Sequence, residues 1–218
     1  MNKNQFIKMI KEEVESDGFR LNITPYKRVM NAGVKCSGFF DDIYDLEIRV
    51  AKKNKLWFPV LVHEYGHFTQ WKSECKIWKD LGNGCTVFDD WVSGEIEMRE
   101  KTVDRYFKTV RNMELDCEKR TVKLITKYNL DIDIPTYIQG ANAYMYLYAY
   151  IKKYRTWPKK PGPTFIKKIW EKLPTVFLKT DEYNTMPEDY EALVSKLCFY
   201  KNNEGNHYWG NKNWVRAK

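Results

Sequence analysis

The stretch from position 56 to 71, LWFPVLVHEYGHFTQW, constrains this chain more than any other. It is apolar on nearly every side, so it reads as a helix buried in a core rather than one with a wet face. Pro59 is tolerated near the first turn, where a missing N–H removes no helical hydrogen bond. Yet the run also carries His63, Glu64 and His67. Ionisable groups in an apolar interior are expensive without partners, so the fold has to supply partners for these three side chains.

Positions i and i+4 lie on one face of a helix, one turn apart. His63 and His67 can therefore point at a single metal ion, and Glu64 can reach a water on that ion and act as general base. The alternative is a pair of buried histidines satisfied by backbone or side-chain hydrogen bonds, with Glu64 in an ion pair. The chain has three histidines, and the third, His207, falls in an irregular tail. Catalytic zinc usually takes three protein ligands and leaves one position for water, so a further ligand is needed. The spacing predicts a long helix over 102 to 128, with Val103, Phe107, Val110, Glu114, Cys117, Thr121, Leu124 and Tyr128 facing inward. Glu114 interrupts that largely apolar stripe, and a buried carboxylate needs a cation. Glu118 lies one turn further on at the edge of the same face, and Asp116 on the opposite side. Pairing of Glu114 with Arg111 or Arg120, or rotation of the stripe toward water, stays open as the other reading.

His63-Glu64-Tyr65-Gly66-His67 followed by Glu114-Leu115-Asp116-Cys117-Glu118 resembles the gluzincin class of zinc metallopeptidases. The preceding strand pattern and overall length are similar to small metallopeptidase-like proteins of phage genomes. The resemblance implies zinc as cofactor, His63, His67 and Glu114 as ligands, Glu64 as the base and Glu118 as the partner that steadies a ligand histidine. Glu118 stands where Asp or Asn is more usual. It also implies a minimal zincin core, a peptide or protein substrate, and an edge strand at about 45 to 51 that pairs with the extended substrate. The match covers two helices and says nothing of the last 90 or so residues.

Elsewhere the pattern predicts an α+β fold. A first helix spans about 4 to 17, with Phe6, Ile7, Ile10 and Val14 on one face. Two-residue alternation at Phe19, Leu21, Ile23 and at Leu46, Ile48, Val50 predicts a small, mostly antiparallel sheet over 19 to 52. Residues 72 to 86, with Gly82-Asn83-Gly84, read as a loop. Further helices fit 88 to 98, 136 to 155, 164 to 172 and 187 to 199. The expected organisation is one domain, a core of about 1 to 130 with a helical extension of 131 to 218.

Tyr144, Tyr146 and Tyr148 are candidate oxyanion donors, with core packing as the alternative. Five cysteines without a C-x-x-C pair argue against a disulfide framework and a zinc ribbon. Cys75 or Cys85 could close a structural site instead. The N-terminus lacks an apolar signal core and no stretch is long enough to span a membrane, so a cytoplasmic location is expected, that of the host cell for a phage protein. The net charge of +8 permits weak nucleic-acid contact. The candidate segments are Lys152-Lys153-Tyr154-Arg155, Lys159-Lys160 and a tail with Trp209, Lys212, Trp214 and Arg216.

Overall fold

A computed structural model describes residues 1–31, 34–82, 84–158, 162–198, 200–201 and 207–208. The fold is α+β and mostly helical. The chain divides into two compact units, one of residues 1–80 and 116–134, the other of 81–115 and 135–218.

In the first unit, α1 (Lys3–Ser16) starts at a capping box. The Asn2 side chain accepts from the Gln5 N–H, and the Gln5 side chain accepts from the Asn2 N–H. Gly18, at φ +85°, turns the chain out of the helix. Phe6, Ile10 and Val14 are buried.

The strands are β1 (Arg20–Thr24), β2 (Val29–Asn31), β3 (Val34–Cys36), β4 (Gly38–Asp41) and β5 (Glu47–Ala51). β2 and β3 form an antiparallel pair, and the other three form a sheet in the order β1-β5-β4. That sheet is mixed, which corrects the mostly antiparallel expectation: β1 runs parallel to β5, and β4 antiparallel to it. The strand expected at the edge is also central. β5 is hydrogen-bonded on both sides, so its backbone groups are already used, and the edges are β1 and β4.

Helix α2 (Trp57–Lys72) is the apolar run of the sequence. Its inner side chains, among them Phe58, Leu61, Tyr65 and Phe68, are buried. Phe6 packs edge-on against Phe58 and Tyr65, and Phe19 packs edge-on against Phe68 and Trp71. β4 lies close on α2: a Cβ at Gly38 would stand 2.7 Å from Val60 Cγ1.

The expected loop at 72 to 86 instead holds α3 (Lys76–Leu81), and α4 (Gly84–Ser93) begins there. Gly82, at φ +48°, ends α3 in the left-handed region, so the glycines mark a joint between two helices. Helix α5 (Glu100–Tyr128) runs through the division, with 116–128 in the first unit and 100–115 in the second. The expected stripe is buried from Val103 to Thr121, then shifts from Leu124 to Ile125.

The second unit has its own core around α6 (Ile134–Tyr154), with α4, the first half of α5, α7 (Lys167–Trp170) and α8 (Glu188–Cys198). Single 3-10 turns occupy Pro163–Phe165 and Thr180–Asn184. The tail is not wholly irregular: β6 (Tyr200–Lys201) pairs with β7 (His207–Tyr208). Among the described residues, no helix is long and apolar enough to cross a membrane.

Candidate metal centre

Helix α2 presents His63 and His67 one turn apart, and their Nε2 atoms stand 3.1 Å from each other. The rings are nearly perpendicular, with centroids 4.7 Å apart. His67 is buried, and His63 keeps 16% of its side chain exposed.

Each ring has a polar partner at its Nδ1. His63 Nδ1 is 3.4 Å from Glu118 Oε1. His67 Nδ1 is 2.9 Å from Gln70 Oε1. The Gln70 amide is itself oriented, because its Nε2 donates to Asp116 Oδ2 at 2.8 Å, which leaves Oε1 toward the imidazole. Both partners can accept, so a proton on each Nδ1 would leave the two Nε2 atoms as ligand atoms facing each other across 3.1 Å, where one cation could bind both. Tetrahedral zinc with Zn–N bonds of about 2.0–2.1 Å separates two ligand nitrogens by about 3.3 Å. The spacing and the backing acceptors both fit such an ion.

Cys117 completes a group of three: with His63 and His67, its ligand atom lies within 4.8 Å of the others. Its sulfur is engaged by His63. Cys117 Sγ is 3.7 Å from His63 Nδ1 and donates to the His63 carbonyl at 3.2 Å. The close approach of the two helices rests on Gly66. A Cβ there would meet Cys117 Sγ at 2.9 Å and Thr121 Oγ1 at 3.1 Å, so the small residue of the motif is a packing requirement.

Glu118 is buried, and its Oε1 stands 3.4 Å from His63 Nδ1. Glu64 is buried on α2. Glu114 is buried on α5, one turn before Glu118. In the second unit its negative charge adds to burial in pushing the Cys85 thiol up to about 12, and in raising the Tyr148 phenol well above its ordinary value. Cys75 and Cys85 are not in the group that could hold a metal ion.

Sequence reasoning set Asp116 aside and missed Gln70. The signal for Gln70 was present, since it follows His67 by three positions on the same helix. Asp116 has no such local signature, because its role depends on where α5 meets the end of α2.

The tyrosine segment packs in the core of the second unit. Tyr148 is bonded to Tyr144 at 3.0 Å, and Tyr146 rests against Tyr183 and Tyr190. Lys152, Lys153 and Arg155 pair with Asp104, Glu191 and Glu97. Lys159, Lys160, Trp209, Lys212, Trp214 and Arg216 lie outside the described residues.

Compared with known proteins, the chain matches no family model, no curated protein and no solved structure.

Proposed function

We propose that this protein is a zinc-dependent hydrolase of peptide bonds, with a minimal zincin-like core. The reading is carried by one observation: two imidazoles one helical turn apart turn their Nε2 atoms toward each other at 3.1 Å, with a Gln70 or Glu118 oxygen at each Nδ1. In this reading His63, His67 and Glu114 hold the ion. Support for Glu114 comes from the helix itself. At about 100° per residue, position 114 falls in the sector between 117 and 118, and those two residues already meet His63. Zinc supplies Lewis-acid polarisation of the scissile carbonyl and a water acidified toward neutrality. Glu64 takes a proton onto its carboxylate during attack and delivers it to the leaving amine. Glu118 keeps the His63 ring in the tautomer that presents Nε2.

An extended substrate pairs with β4 rather than β5, because β4 is an edge. β4 also reaches the site's surroundings: Phe40 packs on Trp78 at 5.8 Å, and Trp78 lies 6.0 Å from His67.

The test is elemental analysis of the purified protein beside hydrolysis of a mixed peptide library. The parent carries one zinc and cuts. Glu64→Gln keeps the zinc and does not cut, and His63→Ala loses the zinc. A Glu64→Gln variant as active as the parent overturns the reading.

The position of Cys117 favours a second reading, in which a His-His-Cys set holds the metal without catalysis. Cys117→Ser separates the two. Zinc is retained if Glu114 is the third ligand and lost if the thiolate is.

A further inference from the structure

We infer that Gln70, Asp116 and Arg120 form a relay that sets the tautomer of His67 and so its strength as a metal ligand. The inference rests on the metal-site reading above and assigns residues that the motif does not contain.

Three contacts run in series away from the ring. His67 Nδ1 meets Gln70 Oε1 at 2.9 Å, Gln70 Nε2 donates to Asp116 Oδ2 at 2.8 Å, and Arg120 Nε donates to the same oxygen at 2.7 Å. Each link decides the next. A glutamine amide can present either its oxygen or its NH2 to a histidine, and the two choices select opposite tautomers. The Asp116 carboxylate only accepts, so it takes the NH2 and leaves the oxygen for His67. Arg120 holds that carboxylate in place from one turn along α5, with Nη1 also reaching Ser73 Oγ at 3.4 Å.

Burial grades along the chain. Gln70 is fully buried, whereas the Asp116 side chain is 36% exposed. The inner link is therefore dry and exacting, and the outer pair holds it from the surface. The two imidazoles are thus steadied differently. His63 leans on a carboxylate directly, while His67 is reached through a neutral amide. The amide fixes direction without placing a full negative charge against the ring.

Gln70→Ala should weaken zinc binding by about 10–100-fold, read by chelator competition on the full chain. In the metal-free parent, long-range 15N–1H spectra should show His67 with its proton on Nδ1, and Gln70→Ala should lose that single tautomer. Asp116→Leu, a change nearer the surface, should do the same to a smaller extent by releasing the amide to turn. Gln70→Glu combined with Asp116→Asn restores an acceptor toward His67 with a donor behind it, and should recover most of the affinity. The melting temperature of each variant separates loss of fold from loss of the relay. A parent that binds no zinc overturns the metal reading itself. A parent that binds zinc, beside folded Gln70→Ala and Asp116→Leu variants of equal affinity with His67 still protonated on Nδ1, overturns the relay alone.

Discussion

Helices α2 and α6 are both apolar almost all round, and both carry polar side chains into a core, yet they treat that polarity in opposite ways. In α6 the polar groups are neutral and saturate one another. Asn142 donates to the Pro174 and Val176 carbonyls and accepts from the Tyr183 hydroxyl. Tyr190 donates to the Ala143 carbonyl, and Tyr150 shares a hydrogen bond with Ser195. In α2 the groups are ionisable, and two ring nitrogens face each other at 3.1 Å with polar partners at their other nitrogens. A buried polar network in which every hydrogen bond closes locally rigidifies a core. One that brings two imidazole nitrogens together can also hold a cation. The two helices look alike by hydrophobic pattern and differ in what their polar atoms are left to do.

That contrast can be broken most sharply at Glu64. Glu64→Gln should lower peptide hydrolysis by about 10²–10⁴-fold with the melting temperature unchanged, measured beside metal content. A large loss of stability instead would make Glu64 a structural group like those of α6. The opposite experiment is on α6. Tyr190→Phe removes the hydroxyl bond that the Ala143 carbonyl accepts in addition to its helical one, and should cost about 0.5–1.5 kcal/mol in urea unfolding, with metal content unaffected.

Gly66→Ala should cost about 1–3 kcal/mol, because the added methyl would stand 2.9 Å from Cys117 Sγ within the packed α2–α5 contact. Equal stability of this variant would show that the helices have room to part.

The smallest effect is in alkali. Burial pushes the Tyr150 and Tyr183 phenols up to about 12, from an ordinary value of 10.0. Because the folded values lie above the unfolded one, their stabilising contribution is complete below pH 10 and is lost as pH rises through about 12. An absorbance titration of phenolate should show a late group of tyrosines whose ionisation coincides with unfolding of the second unit. Complete titration at pH 10 with the fold intact would remove the account of that core.

Much of the secondary structure was legible from periodicity. The helices at α1, α2, α5 and α6 fall within a few residues of their expected bounds, since each shows a long uninterrupted pattern. The segment around Gly82 was misread because one glycine at positive φ serves a helix-to-helix joint as well as a loop. The central place of β5 was not legible either. A strand's alternation records which side chains are buried, and it carries no mark of how many neighbours its backbone has.

The sequence by itself determined the local facts: a buried helix, two imidazoles a turn apart on it, a glutamate between them, and a second helix with acidic residues at 114, 116 and 118. Helical periodicity imposes these within one segment, whatever surrounds it. Tertiary structure alone decided that Asp116 bonds Gln70 and that the Cys117 sulfur stands 3.7 Å from His63 Nδ1. The reason is that a histidine's tautomer is set by the hydrogen bond at its other nitrogen. The partner of His67 is local, but the Asp116 that orients the Gln70 amide lies 46 positions from it, and Cys117 lies 54 from His63, separations that no local pattern encodes.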